Sequence, residues 1–247
     1  MKSDLVGKTA LVTGGAKRLG RATCLALADA GVNVVVHHRT SSAEAEQLAD
    51  QLKGLGVGAW TARADLGNQN ELEGLVENAI ALAGRLDVLI NNASIFPSSD
   101  FDSMTLDQLR DSVDINAWAP FVLGREFARR TETGHIINFV DTRINSYDWS
   151  HVAYHASKYL LALFTRMMAI RFAPGISVNA IAPGLILPPE GKDQDYLESL
   201  KDSTLLKRVG NPGEVAEAVL FLLRSDFITG QVIYVDGGRH MREANLG

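Results

Sequence analysis

Short runs rich in Val, Ile and Ala recur along the chain, and each is followed by a stretch whose apolar residues return every three or four positions. The first run is Thr9-Ala10-Leu11-Val12, with a helical pattern beginning at Arg18. Further strand candidates are Val32 to Val36, Ala59 to Ala64, Leu86 to Ile90, His135 to Val140, Ile176 to Ile181 and Val232 to Val235. Several are apolar at consecutive positions rather than alternating, as strands buried on both faces must be. Seven strands alternating with helices predict an α/β, doubly wound fold: a seven-stranded parallel sheet with helices on both faces. Gly31 is placed to end the first helix in the left-handed conformation, and Gly54 or Gly56 the second.

No repeat, low-complexity tract or linker divides the 247 residues, so the pattern predicts a single domain over 1–247. One stretch lacks regular patterning, from Pro183 to about Pro212, with Pro188, Pro189, Gly191 and a cluster of charges from Glu190 to Asp195. It follows the carboxyl end of a strand, where a doubly wound sheet binds ligands, and residues 184–211 are therefore expected to form a mobile lid.

Composition narrows the function classes. A chain 46% hydrophobic and 21% charged has material for a core and is not a disordered segment. Its 24 basic and 29 acidic side chains give a net charge of −5, against a nucleic-acid partner. No apolar run is long enough for a membrane span, and Met1 to Lys8 carries no secretory-type stretch. Together with the lone Cys24, set in a helical pattern, this predicts cytoplasmic residence and no intrachain disulfide. His151 and His155 stand four apart without a glutamate between them, and His37 and His38 point to opposite faces of a strand, so no metal site is expected.

Two motifs carry candidate chemistry. Directly after the first strand, Thr13-Gly14-Gly15-Ala16-Lys17-Arg18-Leu19-Gly20 opens the first helix. Such a turn can be a plain tight turn, but in this position its glycines let backbone approach a pyrophosphate at the positive end of a helix, making the fold Rossmann-type. The second strand ends Val36-His37-His38-Arg39-Thr40-Ser41, with no acid before Glu44. A cation there suits the 2′-phosphate of NADPH, whereas NADH sites place an acid at that point. Farther on, Tyr154-His155-Ala156-Ser157-Lys158 puts a phenol and an ammonium on one helix face, where the cation is expected to lower the phenol's proton affinity.

With these motifs come Asp65-Leu66, Asn91-Asn92-Ala93, Asn116, Pro183-Gly184 and Val235-Asp236-Gly237-Gly238. In this order and spacing the sequence resembles the short-chain dehydrogenase/reductase family over essentially its whole length. The resemblance implies an NADPH cofactor held by Gly14, Lys17, Arg18, Leu19 and Gly20, by His38, Arg39, Thr40 and Ser41, and by Pro183, Gly184 and Leu185. Asp65 and Leu66 would hold the adenine, and Asn92, Ala93 and Ser94 would lie along the nicotinamide ribose. Tyr154 and Lys158 would be catalytic, with Asn116 anchoring a water relay to Lys158. It further implies a homotetramer built through long helices and the final strand.

The departures from that family point one way. Where its members carry a serine about a dozen residues before the tyrosine, this chain has Asp141. An ionised acid opposes the oxyanion that grows during ketone reduction, but it suits a protonated C=N bond or an aminopyrimidine ring and can help keep the tyrosine protonated as the donor. Arg18, Ser94, Phe96, Asp141, Tyr154 and Lys158 together resemble the pteridine reductases, including bacterial dihydromonapterin and dihydrofolate reductases of this fold. That likeness implies a pterin or folate substrate bound by Arg18, Ser94, Phe96, Asp141 and Tyr154, its ring stacked between Phe96 and the nicotinamide. It also marks the tail Gly237 to Arg242 as a segment near a neighbouring subunit's pocket. Trp149 is either substrate wall or a packed loop residue. Two alternatives stand beside this reading: a carbonyl or 3-ketoacyl reductase that tolerates Asp141, and a non-catalytic NADPH sensor, which would be expected to have lost Tyr154 or Lys158.

Overall fold

The computed structural model describes residues 5–189 and 191–242. Its strands are β1 (Thr9–Val12), β2 (Asn33–His38), β3 (Ala59–Arg63), β4 (Val88–Asn91), β5 (Gly134–Phe139), β6 (Ile176–Pro183) and β7 (Val232–Val235). All pair in parallel, in the order β3-β2-β1-β4-β5-β6-β7. The helices are α1 (Arg18–Asp29), α2 (Ser42–Gly54), α3 (Gln69–Ala83), α4 (Leu106–Val113), α5 (Ala119–Arg130), α6 (Val152–Phe172), α7 (Gln194–Ser199) and α8 (Pro212–Leu223).

The consecutive apolar residues now have their reason. Successive side chains of a strand leave opposite faces of the sheet. Val12, Val34, Val36 and Ile90 therefore join one core with Leu27 and Val219, while Leu11, Val35 and Leu89 join the other with Leu72, Leu123 and Phe127. Burial of each such side chain contributes about 1.5–3 kcal/mol before entropy is counted. Gly31 (φ +81°) and Gly56 (φ +89°) follow the first two helices in the left-handed region; Gly54 is instead the last residue of α2.

Strands β2 to β6 differ by one or two residues from the sequence pattern, and the lid differs in kind. β2 runs on through His37 and His38, because β3 pairs with it as far as His38↔Arg63. β4 starts at Val88 and ends on Asn91, whose buried amide donates to Asn138 Oδ1 at 2.8 Å; Asn138 donates in turn to Thr165 Oγ1 at 2.9 Å. A polar residue can occupy the centre of the sheet when its partners come from neighbouring elements. The expected lid is not without structure: it carries α7, capped by Asp193, whose carboxylate accepts the Tyr196 N–H at 2.9 Å. Of the charge cluster there, residues 191–195 are exposed, and Glu190 lies outside the described residues.

β1 pairs with β2 on one side and β4 on the other. The chain connections leave β1 and β4 for opposite faces of the sheet at that point, which opens a crevice at its carboxyl edge. Among the described residues, no helix is long and apolar enough to cross a membrane, and no three His, Cys, Asp or Glu side chains gather as a metal would require.

Candidate active site

The two loops that frame the crevice are stapled together. Thr13 Oγ1 accepts the N–H groups of Asn92 and Ala93, both at 3.0 Å, and Asn92 Nδ2 donates to the carbonyls of Thr13 (2.8 Å) and Gly14 (3.1 Å). A Cβ on Gly20 would stand 2.3 Å from the Gly14 oxygen, so the start of α1 can press against the turn only without a side chain there. His37 props the turn from beneath: its Nδ1 accepts the Gly14 N–H at 3.0 Å, and its Nε2 lies 3.1 Å from the Ala64 carbonyl. Burial lowers the His37 pKa to about 4, which keeps the ring neutral and fixes Nε2 as the protonated nitrogen.

At the rim, Lys17 Nζ pairs with Glu44 at 2.6 Å. Arg18 holds a left-handed backbone (φ +52°) and donates from Nη2 to the Pro188 carbonyl of the lid at 2.5 Å. Arg39 and Thr40 are exposed and Ser41 half-buried, beside a buried His38 whose Nδ1 finds no partner among the described residues. Asp65 Oδ1 accepts the Gly67 N–H at 2.9 Å next to a buried Leu66. An uncapped helix start, a turn with no room for side chains, rim cations and an orphaned ring nitrogen suit a phosphorylated dinucleotide.

Across the crevice, Asp141 ends the β5 loop with both carboxylate oxygens engaged. Oδ1 accepts the Arg143 N–H at 2.8 Å, and Oδ2 accepts the Tyr154 hydroxyl at 2.8 Å. Lys158, one turn along α6, donates from Nζ to the Phe139 carbonyl at 2.8 Å and lies 5.7 Å from the Tyr154 ring centre. Both side chains are buried. Burial, and then the Asp141 charge, push the Tyr154 pKa well above the usual phenol range. Burial also draws Lys158 down to about 8. The expectation that the ammonium would acidify the phenol is thus corrected: the ammonium is directed at a backbone carbonyl, while a carboxylate accepts the phenolic hydrogen bond. Tyr154 is held in its protonated form.

Asn116 sits in a π-helical turn, Asp114–Trp118, between α4 and α5. Pro120 has no N–H to give the Asn116 carbonyl, which favours the wider turn there. The Asn116 amide accepts from Ile95 N (2.8 Å) and Ser94 Oγ (3.0 Å) and donates to Ile95 O (3.0 Å) and Ser157 Oγ (3.0 Å). It clamps the Ser94 loop to α6 through Ser157; no direct bond joins it to Lys158.

Phe96 meets Tyr154 edge-on, with centres 4.6 Å apart, and is stacked on His151 at 4.0 Å. At most one ring face is left for a flat ligand. His151 is oriented by Asp148 at 3.1 Å. Burial alone would raise Asp148, but hydrogen bonds from Ser150 and the charges of Arg143 and His151 hold it at about 2. Trp149 is exposed on the same loop. Pro183 ends β6, and a Cβ on Gly184 would come within 2.6 Å of Asp236, so Gly184 lets Leu185 and the lid pass under the last turn. Asp236 accepts from Thr142 Oγ1 and from the N–H groups of Gly238 (2.9 Å) and His240 (2.8 Å), tying the tail to the Asp141 loop.

The site also takes in His37 and Arg143, which no motif marks. Arg143 stands two positions after Asp141, whereas His37 is recruited by partners distant in sequence and carries no local signal.

A family profile described as enoyl-(acyl carrier protein) reductase matches residues 14–240. This chain belongs to the short-chain dehydrogenase/reductase family. Among solved structures, this short-chain reductase superimposes with a TM-score of 0.92 on FolM alternative dihydrofolate reductase 1 from Brucella canis, in complex with NADP. The two are 30% identical, over 99% of this chain and 98% of that one. It is also similar to the promiscuous reductase LugOII, which catalyses keto-reduction at C1 during lugdunomycin biosynthesis (TM-score 0.89, 34% identity, 97% of this chain and 100% of that one). Among curated relatives, a 3-oxoacyl-[acyl-carrier-protein] reductase from Synechocystis sp. is 32% identical over 96% of this chain and 98% of its own length.

Proposed function

We propose that this short-chain reductase uses NADPH to reduce a C=N bond of pterin rings, converting dihydropterins or dihydrofolate to the tetrahydro forms. The observation that carries the reading is the 2.8 Å bond from the Tyr154 hydroxyl to Asp141. Bound between the glycine turn and the Asn92 loop, NADPH would supply the hydride. Gly14, Lys17, Arg18, Leu19 and Gly20 would hold its pyrophosphate side, His38, Arg39, Thr40 and Ser41 its 2′-phosphate, and Asp65 and Leu66 its adenine. Asn92, Ala93, Ser94, Pro183, Gly184 and Leu185 would line its nicotinamide end. Tyr154 donates its hydroxyl proton to the ring nitrogen beside the reduced carbon and is reprotonated from solvent before the next turnover. Asp141, released from the hydroxyl's hydrogen bond, faces the cationic or amino-bearing side of the ring. Phe96 would pack against the pterin on the side away from His151, and Arg18 and Ser94 complete the polar rim.

The FolM neighbour supports this reading; the ketoacyl-reductase relatives support a second, in which a ketone accepts the hydride despite Asp141. Absorbance of NADPH, followed with dihydrobiopterin, dihydrofolate and a β-ketoacyl thioester in parallel, separates them. Loss of pterin turnover by roughly a hundredfold in Asp141→Ser is the expected result. Turnover of the thioester alone assigns the second reading, and tight NADPH binding without consumption on any substrate assigns a sensor. We further take the enzyme to be a cytoplasmic homotetramer with residues 184–211 as lid. Tyr159, Leu163, Met167 and Ile170 form an exposed apolar stripe on α6 that assembly would cover, and a monomer mass by light scattering would refute it.

A further inference from the structure

Beyond the Asp141–Tyr154 pair, the loop after β5, α7 of the lid and the C-terminal turn enclose a second cleft of about 590 Å³. Its charged side chains each have a hydrogen-bonding partner, with one exception. Arg143 is paired with Asp148, and Arg242 donates to the Asp202 carbonyl. His240 is held by Asp236 at 2.9 Å, and Asp100 accepts the Asp102 N–H at 3.1 Å. The half-buried Arg239 guanidinium makes no hydrogen bond or ion pair with any described residue. Burial, reinforced by the neighbouring Arg143 charge, lowers its pKa from the usual range, and the more distant Asp141 and Asp236 carboxylates offset this only in part. A guanidinium short of water and beside a like charge is stabilised by an anion, and its planar fork fits a carboxylate with two parallel bonds. The cleft wall adds Tyr147 and Trp149, stacked at 6.2 Å and largely exposed, as a surface for a flat apolar segment. Arg143 joins the two spaces: its backbone holds Asp141, and its guanidinium lies 5.9 Å from the centre of Phe96.

We infer that this cleft is a subsite for the arm trailing from the substrate's reacting ring, with Arg239 receiving a carboxylate on that arm. The inference rests on the pterin reading of the adjoining site and sharpens it. Pterins with an acidic aromatic arm are selected over those with a neutral polyol side chain.

Dihydrofolate and dihydrobiopterin share the reacting ring and differ in this arm, so the two report separately on ring and subsite. In Arg239→Gln the KM for dihydrofolate rises roughly ten- to a hundredfold, the range for losing a charge-assisted pair, with kcat unchanged. Dihydrobiopterin kinetics stay the same, which also shows the variant to be folded, and Arg239→Lys recovers part of the loss. Equal effects on both substrates, or none on either, overturn the subsite. Should the wild type reduce neither pterin, the ring assignment fails and the subsite is decided by calorimetry with p-aminobenzoylglutamate, the arm alone. Binding that Arg239→Gln abolishes sustains it, and no binding to the wild type at millimolar concentration ends it. Coenzyme A binding in place of the aminobenzoyl arm would assign a phosphate and overturn the carboxylate.

Discussion

The two sides of the crevice are constructed differently. On the β1–β2 side the work falls to backbone: glycine at positions 14 and 20, free N–H groups at the start of α1, and a neutral His37 under the turn. On the β5–α6 side it falls to side chains brought from separate elements, with Asp141, Tyr154 and Phe96 meeting across 58 positions of sequence (154 − 96). A backbone cradle takes any dinucleotide of the right shape, whereas a side-chain cluster can change its substrate with one residue. Relatives at 30–34% identity that act on ketones and on dihydrofolate are consistent with that contrast.

The difference can be tested from both directions, and the largest effect belongs to the side-chain half. Tyr154→Phe removes the proton donor and should lower kcat roughly 10²- to 10⁴-fold while NADPH affinity, read by fluorescence titration, changes little. Loss of affinity and turnover together would show that the two halves are not separable. Gly20→Ala does the reverse: a Cβ 2.3 Å from the Gly14 oxygen must displace the turn. NADPH affinity should fall by roughly a hundredfold, about 3 kcal/mol, and wild-type affinity would refute the tight cradle.

His37 offers a third test, through pH. Its pKa is about 4 in the folded chain and 6.5 as an unperturbed side chain, so between those values the unfolded chain binds more protons. Stability therefore falls as pH drops from about 6.5 to 4, by roughly 2–3 kcal/mol for this group. Denaturation by urea at pH 7 and 5 should show that loss diminished in His37→Gln, and an identical pH slope in both proteins would remove His37 from the account. The smallest change is expected from Arg18→Ala, which cuts the bond from the turn to the lid carbonyl of Pro188. Exposed and partly replaced by water, that bond should be worth only a few-fold in the rate of proteolysis between residues 184 and 211, read without cofactor or substrate so that Arg18's binding roles do not enter. An unchanged cleavage rate would show that Arg18 does not restrain the lid.

Much of this molecule was legible in one dimension because its signals are local. A strand buried on both faces must be apolar at consecutive positions, a phosphate turn must carry glycine, and Tyr154 and Lys158 share a helix face at any i,i+4 spacing. The parallel seven-stranded sheet and its ligand-binding carboxyl edge followed from those rules, the strand order did not, and Asp141 stood out only through the family resemblance. The balance of proton affinity at Tyr154 was not legible, because the sequence offers both an acidifying Lys158 and a proton-retaining Asp141; which governs depends on where Lys158 Nζ points, and it points at the Phe139 carbonyl, 19 residues away in sequence. The stack of His151 on Phe96 and the charge balance that leaves Arg239 alone were equally out of reach.

What the chain by itself determined, then, was which chemical groups exist and on which regular element each one rides, since both depend on periodicity and composition over a few turns. Only the tertiary structure decided which of those groups meet and which are stripped of water, because contact and desolvation arise when distant segments pack, and they set the charge state of every buried acid, base and phenol.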